Sequence, residues 1–288
     1  MNTPKIILEK WSAKKDIRLF VEFLNHPSFP QHRKIIFRAF PELRAEINTG
    51  AEEEKVVKEF ILGFNKLNKK RLDAVVKRNT RLAAPKMPGA IKILSRAMEY
   101  EWNKNTAYRA VPTILPFSPL SKRIFYFSIL GEVLAGKKSR IILTSAHEIS
   151  HFIFFNLLKK AEAKLGFKLS SDATHYLKES LTAALLNEEP IKSSLGIGKY
   201  LGNPEIRHIY INFPGQQPIL FTNLISKLYR DSRRRGRSFN DWLIYLITVV
   251  HLRETAFSKK RKLWNKYGEG IVKIPKQFNQ YQTPIVFK

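Results

Sequence analysis

The 288-residue chain contains no cysteine. Disulfides and thiolate metal sites are thereby excluded, and any metal must be held by imidazole and carboxylate. Those groups are themselves scarce: seven histidines, and 24 Asp+Glu against 51 Lys+Arg. Long apolar runs are scarce too. The longest mainly apolar stretches, 152–158 and 242–252, are too short to span a bilayer. Residues 1–16 contain nothing like the apolar core of a signal peptide. These absences give the expectation of a soluble, cytoplasmic chain. With 44% hydrophobic and 26% charged residues the composition is globular, which argues against disorder or a fibre. The formal net charge is +27. A field of that size favours acidic partners, namely nucleic acid, anionic membrane or acidic protein, unless it is only a solubility adaptation.

The spacing of apolar residues gives the organisation. Residues 13–25 read as a helix on Ile17, Leu19, Phe20, Phe23 and Leu24, and 31–40 as a second, between Pro30 and Pro41. Thr49-Gly50-Ala51-Glu52 resembles a capping box, and a helix is expected from there to about Arg78. Pro85 and Pro88 punctuate, and 89–102 reads as one more helix. Short β-branched and aromatic runs at 108–115 and 123–129 then read as strands about a turn at 116–119. Helices follow at 139–164, from Ser170–Asp172 to before Pro190, at 219–230 and at 239–252. Short strands are expected at 209–213, 271–274 and 284–287. The expectation is an α+β, mainly α chain, with a helical region over 1–105 and a second domain over 106–288.

The most specific feature is Ala146-His147-Glu148-Ile149-Ser150-His151. Histidines at i and i+4 lie on one helix face about 6 Å apart along the axis, so both imidazoles reach one metal ion. Glu148 is turned about 100° away on the wheel, beside the metal, where it can take a proton from an activated water. Seven histidines and 19 glutamates give a chance expectation of about 0.01 for this pattern in such a chain. The helix is apolar almost all round, so it is buried, and two histidines and a glutamate inside it need partners. A catalytic zinc wants a third protein ligand. Phe154 and Leu157 exclude the ligand spacing that continues such a motif on the same helix; Asp172, His175 and Glu179 are candidates, with Glu179 the strongest.

His147-Glu148-x-x-His151, followed on the next helix by Tyr176, Leu177, Glu179, Ser180 and Ala183, resembles the gluzincin metallopeptidases over roughly residues 106–190. The resemblance implies a zincin-like domain with a small mixed sheet, an active-site helix and a glutamate helix. It implies one zinc ion held by His147, His151 and Glu179, with Glu148 as the general base of peptide hydrolysis and the strand-rich stretch 108–129 lining the cleft. It departs from that pattern in three ways. The 28 residues from His151 to Glu179 are about eight more than expected, which implies an insertion around Gly166. Ala183 stands where an aspartate orienting a histidine is expected, so that role is unassigned. No exopeptidase motif precedes the zinc helix, which favours an endopeptidase. Tyr210, His208 and Tyr229 are candidates for stabilising the oxyanion.

Positive charge concentrates at 227–266, where twelve Lys+Arg face Asp231, Asp241 and Glu254. Arg233, Arg234, Arg235 and Arg237, with Phe239, Trp242 and Trp264 nearby, form a pattern that can bind phosphate and stack bases. Two readings follow: a zinc metalloendopeptidase acting on protein or peptide, or a nucleic-acid-binding protein that uses this basic region on an inactive zincin scaffold. A third, a purely structural zinc site, is disfavoured because such sites usually hold four protein ligands.

Overall fold

The computed structural model describes residues 2–27, 30–268 and 280–287 and is mainly helical with two small sheets. Contacts divide the chain into two compact units. One is formed by Asn2–Pro88 with Asn103–Ser145, the other by the described residues of Gly89–Trp102 and Ala146–Lys288.

In the first unit a four-stranded sheet is ordered β1-β2-β4-β3. Strand β1 (Lys5–Leu8) runs parallel to β2 (Ala107–Thr113), which runs parallel to β4 (Ile124–Ser128); β3 (Leu120–Ser121) is antiparallel to β4. Register pairs Lys5 with Ala107, so one sheet joins segments on both sides of residue 105. The patterning of the first hundred residues anticipated only helices. Four residues are too few to show a strand period, and the partner that supplies the ladder lies a hundred positions away. Helices α1 (Ala13–Leu24) and α2 (Gln31–Ala39) occur where the spacing puts them. Pro41 stops α2 but also opens α3 (Pro41–Ile47), because a missing N–H costs nothing in a first turn.

Helix α4 (Glu53–Ala97) corrects two expectations. Thr49 does not cap it: its hydroxyl donates to the Glu46 carbonyl at the end of α3. Nor do Pro85 and Pro88 end it, since 45 residues run through both. Each proline removes one ladder hydrogen bond, yet the helix continues. What changes there is the company: residues to Pro88 belong to the first unit, and Gly89 onward to the second. Within the first unit Phe20, Phe40, Phe60 and Phe64 pack their rings at centroid distances of 5.2–6.5 Å. A short helix α5 (Leu130–Ala135) carries the buried Glu132, which accepts from Arg78 at 2.6 Å and Asn79 at 3.3 Å.

Helix α6 (Ile141–Leu165) carries the two-histidine motif. It is long and apolar enough to cross a membrane, and 67% of its apolar window is buried inside the protein. Helix α7 (Ser171–Leu186) starts at Ser170, whose hydroxyl accepts from the Ala173 N–H. Only 166–170 connect α6 to α7, so most of the 28 residues from His151 to Glu179 are helical.

Beyond α8 (Ile191–Leu195) and a 3-10 turn (Pro204–His208), the second unit holds a sheet ordered β6-β5-β7, built from β6 (Ile219–Leu220), β5 (Tyr210–Asn212) and β7 (Ile285–Val286). Helices α9 (Phe221–Arg234), α10 (Phe239–His251) and α11 (Glu254–Tyr267) complete it. Expected strand 271–274 lies outside the described residues. Helix α11 forms from the lysine-rich stretch because Phe257, Lys260, Arg261 and Trp264 repeat at helical spacing and are all buried. Lys260 is inside, its ammonium donating to the carbonyls of Gln280, Tyr281 and Thr283, and burial lowers its pKa to about 8. Arg261 is also inside, paired with Glu205.

Asp16 anchors the first unit. It is fully buried and accepts from the Thr113 hydroxyl at 2.6 Å, the Ile114 N–H at 2.9 Å and the Trp11 indole at 2.6 Å. Burial raises its pKa to about 6, and the three hydrogen bonds pull it only part of the way back. Replacing Asp16 by alanine orphans three donors and should cost about 3 kcal/mol or more in denaturant titrations. The folded chain keeps its proton up to about pH 6, whereas the unfolded chain releases it near 3.8. Stability contributed by Asp16 is therefore present in acid and falls as pH rises from about 4 to about 6. The difference in unfolding free energy between wild type and Asp16→Asn should shrink by about 3 kcal/mol across that window. A pH-independent difference would contradict the assignment.

Candidate metal centre

His147, Glu148 and His151 project from α6 so that their ligand atoms lie within 4.8 Å of one another, a group that could hold a metal ion. The two imidazole rings stand 4.3 Å apart, as the i, i+4 spacing requires. Glu179 reaches the same point from α7. Its two oxygens lie 3.4 Å from His147 Nε2 and 3.3 Å from His151 Nε2, whereas the nearest Glu148 oxygen is 4.0 Å from His147 Nε2. The carboxylate of Glu179 thus straddles both imidazole nitrogens, and that of Glu148 stands to one side. All of these residues belong to the second unit.

A hydrogen-bond chain fixes the ring of His151. The Ser150 hydroxyl donates to the His147 carbonyl at 2.6 Å. Its oxygen is then the acceptor for the Thr182 hydroxyl, also at 2.6 Å. The Thr182 oxygen is in turn left to accept from His151 Nδ1 at 3.2 Å. Read in this direction, the proton of the neutral ring is on Nδ1, and Nε2 presents a lone pair. That nitrogen is buried with no hydrogen-bond partner among the described residues, and it faces a carboxylate. Two electron-rich groups held 3.3 Å apart in a buried site repel unless a cation lies between them. His147 has a comparable support: the Tyr200 hydroxyl lies 3.0 Å from its Nδ1.

The electrostatics match this arrangement. Burial, with the charges of Lys178 and His147, holds His151 well below the usual histidine range, so its ring is neutral. Burial pushes Glu179 up, but Lys178 and the two imidazoles outweigh it and hold the carboxylate well below its usual range. Lys178 Nζ itself donates to Glu179 Oε1 at 2.5 Å. His147 goes the other way: burial disfavours its charge, but the carboxylates of Glu179 and Glu148 beside it raise its pKa. Burial lifts Glu148 to about 7, and its Oε2 is buried with no hydrogen-bond partner among the described residues. A donor set of two imidazole nitrogens and a carboxylate, oriented by hydroxyls from behind, fits a divalent ion of the zinc type.

Other candidates fall elsewhere. His175 pairs with Glu205 at 3.0 Å, next to Arg261. The Tyr229 hydroxyl donates to the Ala97 carbonyl, and His208 is half-buried. Two residues at the centre were not foreseen. Thr182, 3.2 Å from His151 Nδ1, stands where such an orienting group would be; it is three residues after Glu179 and so on the same face of α7, a signal the spacing contained. Tyr200 had no such signal. It reaches His147 because Gly202, at φ +69, lets the chain turn so close to α7 that a Cβ there would meet Ala183 at 2.9 Å and Ile206 at 2.6 Å. Asn187 holds the Tyr200 backbone from both sides, donating to its carbonyl and accepting from its N–H at 2.7 and 2.8 Å.

Of the basic region, Arg230 pairs with Glu188 and Arg233 with Glu99, while Arg235 and Arg237 are exposed. Phe239, Trp242 and Trp264 are buried in the core.

Thr182→Val keeps the volume but breaks the chain behind His151. Affinity for a divalent metal ion, measured by chelator competition, should fall about 10- to 100-fold, with Thr182→Ser restoring most of it. Equal affinity in all three proteins would show that the hydroxyl does not orient the ring.

Comparison of the chain with protein-family models, with curated proteins and with solved structures gives no match to any of them.

Proposed function

We propose that this chain is a zinc-dependent endopeptidase of the gluzincin type, with a zincin-like arrangement of α6 and α7. His147, His151 and Glu179 would hold the ion, and Glu148 would act as general base. The observation that carries the proposal is the buried lone pair of His151 Nε2, fixed by Ser150 and Thr182 against the carboxylate of Glu179.

Zinc bound there would supply a Lewis acid that makes water nucleophilic near neutral pH and draws charge from a scissile carbonyl. The rest falls to the chain. Glu148 keeps one carboxylate oxygen unpaired, and its burial raises its proton affinity toward neutrality. It can therefore accept the proton of the attacking water and return it to the leaving amine, the two transfers that peptide hydrolysis needs. Glu179, ionised throughout, is the better choice for ligand because its oxygens come within 3.4 and 3.3 Å of the two imidazole nitrogens, closer than the 4.0 Å of Glu148 from His147. Tyr200 and Thr182 hold the rings in place.

The alternative, nucleic-acid binding through 227–266 on an inactive scaffold, draws on the exposed Arg235 and Arg237. It loses support because the aromatic residues it would use for stacking are core residues and part of the basic run is internal.

Purified protein should contain about one equivalent of zinc per chain, and Glu179→Ala should lose it on dialysis. Tight stoichiometric zinc in that variant would remove Glu179 from the ligand set. Glu148→Gln should keep the zinc and lose cleavage of an unfolded protein substrate by at least about 100-fold. Undiminished cleavage by Glu148→Gln would sink the mechanism.

A further inference from the structure

A cavity of about 800 Å³ opens in the second unit beside the metal centre. The two share a wall. Tyr200 lines the cavity, and its hydroxyl lies 3.0 Å from His147 Nδ1. Ala183 also lines it, one helical turn along α7 from Glu179. Because Nδ1 is on the side of the imidazole opposite a ligating Nε2, the cavity flanks the candidate reaction centre and does not contain it.

Its lining has one dominant sign. Lys192, Lys199, Arg207, Lys227, Arg230 and Arg234 line it, and Asp231 is the single carboxylate. Arg230 is paired with Glu188, and Arg234 lies 3.6 Å from Asp231. Lys192, Lys199 and Lys227 carry no carboxylate partner among the described residues. Arg207 donates from Nε and Nη2 to the Gly202 carbonyl, which steadies its guanidinium without neutralising it. These cations come from α8, the segment before the 3-10 turn, the turn itself and α9, so they surround the space and are not one helix's outer face. Like charges converging on a concave, partly apolar wall raise the local concentration of anions and reward a ligand that brings several of them.

We infer that this cavity is a subsite for an acidic segment of a polypeptide substrate, on the Nδ1 side of His147 and flanking the candidate reaction centre; the inference rests on the peptidase reading above. The volume and the spread of cations exceed what a single phosphate or carboxylate would occupy. The wall offers aliphatic and aromatic surface at Leu201, Leu220 and Tyr200, against which peptide side chains can pack. A nucleic acid would gain phosphate contacts but little stacking beyond Tyr200, since Phe239, Trp242 and Trp264 are buried. The overall +27 would then act at a defined place, drawing acidic chains toward the centre and selecting among them.

The test separates binding from hydrolysis. Three fluorescent peptides of equal length, with a Glu/Asp-rich, Gln/Asn-rich or Lys-rich segment, are titrated by anisotropy with the full-length Glu148→Gln chain. The acidic peptide is expected to bind at least about 10-fold tighter than the neutral one, with affinity falling steeply with salt. Combining Glu148→Gln with Lys192→Ala, Lys199→Ala and Lys227→Ala should abolish that preference, and arginine at the same three positions should keep it. Circular dichroism of both sets checks the fold. With Glu148 intact, the alanine set should raise KM for the acidic peptide about 10-fold with kcat unchanged. Equal binding of the acidic peptide by the alanine set overturns the inference. So does an RNA oligomer of equal charge that binds tighter and displaces the peptide, or displacement by millimolar inorganic phosphate alone. Lysine-dependent acidic binding in a chain that holds no zinc and cuts nothing would leave the subsite standing and remove the peptidase reading. Cleavage indifferent to acidic residues would do the reverse.

Discussion

Ser150, Thr182 and His151 form one directed chain of hydrogen bonds, and the rest of the second unit is arranged so that it can form. It ties α6 to α7 through buried hydroxyls, in a place where any unpaired polar atom would be costly. The chain begins at a backbone carbonyl, which can only accept, and that fact propagates through two hydroxyls to decide which nitrogen of His151 carries the proton. The histidine is thereby held as a neutral ring with its lone pair aimed at Glu179. The opposite faces of both helices are dry as well: Ile149, Ile153 and Leu181 are fully buried.

The basic residues divide into two populations. Some are part of the interior: Lys260 gathers the carbonyls of 280, 281 and 283, and Arg261 meets Glu205 in a buried cluster that includes His175 and Tyr281. Burying these cations is tolerable only because their donors are satisfied. Others surround the cavity beside Tyr200, where few carboxylates oppose them. A run such as Lys259-Lys260-Arg261-Lys262 reads as one patch in the sequence. On a helix its members point in different directions, and burial divides them.

Much of the chain was legible from apolar spacing and end signals. Helices α1, α2, α7 and α10 lie where their periodicity and flanking residues put them: α1, α2 and α10 bury one face, and Ser170 caps the start of α7, which is buried almost all round. The misreadings share a cause. Strand β1 depends on a partner a hundred residues away, and α4 runs on through Pro85 and Pro88 where Ala83, Met87, Ala90 and Ile91 are buried. Local chemistry was a good guide to local structure, and it failed where distant segments supplied the compensation.

The sequence by itself determined that any metal here must rest on histidine and carboxylate, and that His147 and His151 share a helix face with Glu148 turned aside. Those conclusions need only composition and the 3.6-residue period. Tertiary structure alone decided that Glu179 faces both imidazoles, that Thr182 and Tyr200 stand behind them, and that a cationic cavity opens alongside. Each of these depends on where one segment of chain lies against another, as when Gly202 lets the turn beside Tyr200 approach α7, and no local periodicity encodes such a meeting.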